Sequence, residues 1–198
     1  MNRLVSMLVT SEMMEDGIVP LLFTGGACNI QGINGPIRNP GRDLLAQWLD
    51  QNSWSYFDPQ IHSSTHGRDY VWGIDGPQEK KARELAKLRV YEITPTTIAA
   101  ITILEIMDDM RCHRRSIIWF NKGNFFSPIG LGERDQLQQN TRLRTQVGEM
   151  VFQHLLAYIN AGRQLRNELV SMLQHDHNAI FAYTLDEVKA AITAILSR

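Results

Sequence analysis

The sequence is short of most features that assign a protein quickly. Only two cysteines occur in 198 residues, Cys28 and Cys112. They stand far apart and form neither a CxxC nor a zinc-type spacing, so a disulfide framework and a cysteine-built metal site are excluded. Two reduced thiols fit a cytosolic protein, and one disulfide is the alternative. An excess of one charge is also lacking: 20 Lys and Arg oppose 21 Asp and Glu, for a net charge of -1. No global basic field exists to attract a nucleic-acid polymer. No apolar run reaches the ~20 residues that cross a bilayer. Residues 1–17 carry one early cation, Arg3, and are interrupted by Glu12, Glu15 and Asp16. They read as an N-terminal helix or arm, not as a secretory signal. A cytoplasmic protein without membrane contact is expected. Internal repeats, low-complexity tracts and domain linkers are missing too. What is present, 43% hydrophobic and 21% charged residues, is a globular balance that suits one domain over 1–198.

Strand and helix signals alternate along that domain. Ile18 to Phe23 is a short apolar run ending at Thr24-Gly25-Gly26, as buried parallel strands do. A Gly-, Asn- and Pro-rich loop is expected from Ala27 to Gly41, then a helix carrying Leu44, Leu45, Trp48 and Leu49. Trp54 to Phe57 reads as a second strand, Gln60 to Asp75 as a polar loop, and Gln78 to Lys87 as a helix. Leu88 to Ile93 is a third strand. A helix from about Thr97 to Met110, apolar on most faces, is expected to be buried. Ser116 to Phe120 is the fourth strand and Ala179 to Tyr183 the fifth, with a long helical insertion over about 142–174 that Gly162 bends or divides. Thr184 and Glu187 have capping-box spacing ahead of the last helix. The class is α/β: a doubly wound, five-stranded parallel sheet, flavodoxin-like or Rossmann-like, with helices on both faces.

Ligands of such sheets bind outside the carboxyl ends of the strands. That rule selects Thr24, Gly25, Gly26, Asp58, Thr96, Thr97 and Asn121. Thr24-Gly25-Gly26 lets a sugar or phosphate approach the backbone, yet it is neither a P-loop nor a G-x-G-x-x-G, and a plain tight turn has the same pattern. Arg38 and Arg42 suit a phosphate clamp, although a solvated helix terminus is the plainer reading of the pair. Glu105 is flanked by Ile98, Ile101, Ile103, Leu104, Ile106 and Met107. A carboxylate in so apolar a helix is costly unless it is paired, used, or on an exposed edge. His62/His66 and His175/His177 have no carboxylate spacing to complete a metal site, so no metal and no cofactor are expected.

Over Ile18 to Phe120 the sequence resembles the nucleoside 2-deoxyribosyltransferases and their relatives. Phe23-Thr24-Gly25-Gly26 looks like the family's first-strand Phe-Gly-Ala-Gly turn, and Val90-Tyr91 like its third strand. Ile103-Leu104-Glu105-Ile106 falls where the family has Gly-Met-Glu-Leu, ahead of a fourth strand like Ile117 to Phe120. The resemblance makes Glu105 the nucleophile that displaces a nucleobase from C1′ and holds the sugar as an ester. A second acid must serve the base nitrogen. Asp75 is the first candidate for it and Asp69 the next, with Asp58 behind them. The resemblance also implies a homo-oligomer. The loop Asn121 to Gln139, with Phe125 and Phe126, would cover the intermediate. Leu22 stands where the family has a Tyr that orients the nucleophile, and Thr97 or Ala99 near a family Asp. The expected partner is therefore a nucleoside or nucleotide, cleaved or transferred at its N-glycosidic bond. The alternatives are hydrolysis of a nucleoside 5′-monophosphate, which Arg38 and Arg42 would favour, and a non-catalytic nucleotide sensor.

Overall fold

In the computed structural model the described residues are 6–26, 29–32, 35–38, 40–60, 70–94, 100–121, 145 and 148–197. They form helix α1 (Ser11–Glu15), strands β1 (Leu22–Gly26), β2 (Asn29–Gly32) and β3 (Gly35–Arg38), helix α2 (Pro40–Gln51) and strand β4 (Tyr56–Phe57). Helix α3 (Trp72–Leu85), strand β5 (Leu88–Ile93), helix α4 (Ala100–Arg111) and strand β6 (Ser116–Phe120) follow. Helix α5 (Glu149–Leu173), strand β7 (Ala179–Ala182) and helix α6 (Leu185–Leu196) end the chain.

Five strands pair in parallel in the order β4-β1-β5-β6-β7. Alternate side chains serve opposite layers, as the two-residue period of a strand requires. Phe23, Phe57, Tyr91, Ile93, Ile118 and Phe120 pack on α3, α4 and α5, through Ala82, Ile106 and Leu169 among others. Leu22, Leu88, Val90, Ile117 and Trp119 pack on α2 and α6, through Leu45, Leu49, Val188 and Ile192. Helices therefore cover both faces of a doubly wound sheet. The strand order reverses between β1 and β5, so the ligand-receiving crevice of this class lies at Gly25-Gly26 and Glu92 to Thr94.

Within the expected arm, residues 7–9 extend the sheet. Leu8 bridges to Tyr56 in parallel, the Val9 amide donates to the Tyr56 carbonyl at 2.7 Å, and the Tyr56 amide donates to Met7 at 3.1 Å. This covers the free edge of β4. Among the described residues no helix is long and apolar enough to cross a membrane.

Several local expectations are corrected. The loop read from Ala27 to Gly41 contains the β2-β3 hairpin, an antiparallel pair joining Asn29 to Arg38 and Ile30 to Ile37. Trp54 and Ser55 precede the second sheet strand, whose core is Tyr56–Phe57. Helix α3 begins at Trp72, inside the stretch read as a loop. Helix α4 is not buried all round, since Ile101 and Leu104 are 62% and 66% exposed. Gly162 does not divide α5, which is one helix of 25 residues; Gly162 is buried there, so packing offsets its weak helix propensity.

Candidate active site

The carboxyl ends of β1, β4, β5 and β6 gather a compact polar cluster. Arg42, in the first turn of α2, is 1% exposed. It donates from Nη1 to the Gly26 carbonyl at 3.2 Å and from Nη2 to the Thr24 carbonyl at 2.8 Å. Its Nη2 also pairs with Asp58. Asp58 in turn accepts from the Gln60 amide at 3.2 Å and from Gln60 Nε2 at 3.1 Å, and Thr24 Oγ1 donates to the Phe57 carbonyl at 3.2 Å. At the end of β5, the buried Glu92 accepts from Asn121 Nδ2. Glycine is required in this corner. A Cβ on Gly25 would meet the Tyr91 ring at 2.7 Å, and Gly26 has a φ of +127° with the Glu92 backbone against its open side.

An open groove of about 570 Å³ lies beside this cluster, between α3 and α4. Trp72, Gly76, Glu79 and Arg83 line it from α3, and Ile101, Leu104, Glu105 and Asp108 from α4. Glu79 and Glu105 thus face one space. Burial, and then the neighbouring Glu79, push the Glu105 carboxyl up to about 7. Burial also raises Glu79, opposed by the Tyr70 hydroxyl, which donates to Glu79 Oε2 at 2.7 Å. Arg42 acts on both carboxylates and Asp58 on Glu79, so groove and strand-end cluster are within electrostatic reach of each other. Trp72 is 69% exposed at the groove, with its ring over Gly76, where an added Cβ would meet it at 3.3 Å.

A buried ion network fixes the groove from below. Tyr91 donates to Asp109 Oδ2 at 2.5 Å, and Arg83 and Arg114 reach Asp109 Oδ1 at 3.3 and 3.0 Å. Arg83 Nη1 also donates to the Glu105 carbonyl at 2.9 Å, and its Nη2 to Asp108 at 3.1 Å. Arg83 therefore ties α3 to the turn of α4 that carries Glu105. Arg89 donates to the Arg83 carbonyl at 2.8 Å. Burial, and then Asp109, hold the Tyr91 hydroxyl well above its ordinary range.

Of the residues selected from sequence, Thr24, Gly25, Gly26, Arg42, Asp58 and Asn121 come together at the strand ends. Thr24, Arg42, Asp58 and Asn121 are engaged there with one another or with neighbouring groups. They do not line the groove that Glu105 lines. The Arg42 guanidinium is held by protein carbonyls and Asp58, so a phosphate would have to displace those contacts. Asp75 is buried and accepts from the Val71 amide at 2.7 Å, satisfying a backbone donor at the start of α3. Asp69, Thr96, Thr97, His62, His66, Phe125 and Phe126 lie outside the described residues, as does the side chain of Arg38. Sequence reasoning missed Glu79, Trp72, Arg83 and Tyr91. The signal for Glu79 was faint, one Glu in the charged run Glu79-Lys80-Lys81. Tyr91 was legible only as a strand residue.

Two carboxyl groups in one partly dry groove divide the roles of acid and base, because the ionisation of one opposes that of the other. Over part of its titration such a pair shares one proton. Among the described residues no group of three or more His, Cys, Asp or Glu side chains is arranged to hold a metal ion. No protein-family model and no curated protein matches the sequence.

Proposed function

We propose that this protein breaks or transfers the N-glycosidic bond of a deoxynucleoside, with Glu105 as nucleophile and Glu79 as the acid for the leaving base. The observation that carries the reading is the shared groove: Glu105 and Glu79 line it together, beside Trp72. The sequence resemblance to nucleoside 2-deoxyribosyltransferases, with Glu105 at the nucleophile's position, supports it independently. Glu105 attacks C1′, the C1′–N bond breaks, and its electron pair goes to the base nitrogen, which takes a proton from Glu79. Water or a second base then attacks C1′ of the ester and returns Glu105 as a carboxylate. Glu79 replaces Asp75 in the acid role, because Asp75 is turned back onto the Val71 amide. The homo-oligomer implied by the resemblance belongs to the same proposal, and light scattering of the purified protein would measure it.

Glu105→Gln is nearly isosteric and removes the nucleophilic charge. Base release from deoxynucleosides is expected to fall by a factor on the order of a thousand or more, while the folded protein still binds substrate. Release at the wild-type rate would exclude covalent catalysis through Glu105. The pH profile supplies a second check. The reactive form carries the charge on Glu105 and the shared proton on Glu79, and Glu105 is the more strongly raised of the two, so kcat/KM should fall as pH rises above about 7 and the pair loses that proton, and fall again in acid as it takes up a second. Glu79→Gln should remove the high-pH limb and slow release most for bases that leave poorly.

A further inference from the structure

A large aromatic side chain left in water forgoes the free energy of burial, so an exposed tryptophan beside a groove marks a surface that a ligand can cover. Trp72 opens α3 at the wall of the groove and is largely exposed, and Ile101 and Leu104 stand exposed in the same groove from α4. The indole has a defined seat. A Cβ added to Gly76, four residues on and therefore on the same side of the helix, would meet its Cδ2, Cε2 and Cε3 at 3.3, 3.4 and 3.4 Å. Cδ2 and Cε2 are the atoms that the two rings share, and even contact with both comes only through the flat face. One face of the indole thus lies on α3, in space that glycine leaves free, and its exposed area belongs to the other face and the edges. Tyr70 adjoins the ring at a centroid distance of 6.4 Å but is tilted by 50°, so it does not stack on the open face.

We infer that the open face of Trp72 is a stacking platform for a flat heteroaromatic ring, and that this ring is the leaving base. A groove of about 570 Å³ has the size of a small-ligand site. Its occupant must cover apolar walls with its faces and meet carboxyl groups with its edge, because Glu79 and Glu105 line the same space as Trp72 and Leu104. A nucleobase has that division, with π faces above and below and hydrogen-bonding groups around the rim, whereas an aliphatic chain has no polar edge to offer. Stacking on an aromatic side chain is also tolerant of which base is present, since every base has a π face. The inference deepens the N-glycosyl reading and rests on it for the role given to the base. The stacking itself needs no turnover.

The free bases adenine, hypoxanthine, cytosine and thymine are the probes, titrated into the whole protein by calorimetry and by tryptophan fluorescence. The wild-type protein should bind at least one of them saturably, and the quenched emission should be the part that Trp72→Phe lacks. Trp72→Leu keeps apolar bulk at an exposed position and removes the ring, so the protein should fold and bind that base roughly tenfold or more weakly. Trp72→Phe keeps a ring and should recover most of the affinity. No binding of any base by the wild-type protein would overturn the inference, and so would wild-type affinity in Trp72→Leu. If Trp72→Leu changed the oligomeric state in light scattering and left base affinity intact, the face would be a contact between copies, and the inference would fall equally. The two readings fail separately. Base binding that depends on Trp72, in a protein that releases no base from any deoxynucleoside, would keep the platform and remove the N-glycosyl reading. Base release through Glu105, with base affinity indifferent to Trp72, would do the reverse.

Discussion

Glu105 owes its character to its surroundings, and those surroundings have a cost in stability. In the unfolded chain its carboxyl has an ordinary value of 4.5; in the folded protein, burial and Glu79 push it up to about 7. Between these values the folded state keeps a proton that the unfolded state has lost, so stability falls as pH rises through the window. Below about 4.5 both states are protonated and Glu105 costs nothing. Glu105→Gln should therefore raise Tm at pH 8 and leave it nearly unchanged at pH 4. Discounted for partial exposure, the gain is on the order of 1–2 kcal/mol. Denaturant melts of both proteins at the two pH values would measure it, and a loss of stability at pH 8 would show that the carboxylate is well solvated or paired. The apolar neighbours that single out Glu105 were legible in the sequence. Its partner was not, because Glu79 lies 26 positions away and only the packing of α3 on α4 brings the two carboxyls into one groove.

At the scale of elements, local chemistry decided some boundaries and long-range packing the others. The last helix begins where the sequence says it should. Thr184 Oγ1 accepts from the Glu187 amide at 3.2 Å, and the Glu187 carboxylate accepts from the Tyr183 amide at 2.6 Å. The reciprocal contact thus reaches one residue further back than the standard box. Thr184→Ala should cost about 1 kcal/mol, read as a shift in denaturant midpoint at constant slope; no shift would mean that packing alone holds α6. Helix α3 behaves oppositely. Its first turns contain Gly73, Gly76 and Pro77, which disfavour helix by roughly 1 to 3 kcal/mol each, so the sequence reads as a loop. Asp75 closes that weak start by accepting from the Val71 amide, and burial of Ala82 and Ala86 holds the helix on the sheet. The hairpin of β2 and β3 was hidden for a similar reason, since its Gly- and Pro-containing segments resemble a loop until they pair.

For the molecule as a whole, Asp109 is the group on which the site's rigidity depends. It is fully buried and accepts from Tyr91, Arg83 and Arg114 at once. Asp109→Ala would strand those donors, and a loss of about 3–5 kcal/mol is expected, along with looser coupling between α3 and α4. Arg111→Ala, which removes only an exposed partner of Asp108, should leave the denaturant midpoint unchanged. If the two variants unfolded at the same midpoint, the buried network would have no special weight. The sequence by itself determined the alternation of strands and helices, the parallel doubly wound class, the glycines of the first turn and the interest of Glu105. Each of these follows from periodicity or from local steric and polar requirements. Only the tertiary structure decided that Arg42 and Asp58 hold each other, that Asp75 serves a helix start, and that Asn121 donates to the buried Glu92. It alone also paired Glu79 with Glu105. Such outcomes depend on which buried charges the crossovers bring within contact, and a buried charge takes whichever partner the packing delivers, however far away it lies in the chain.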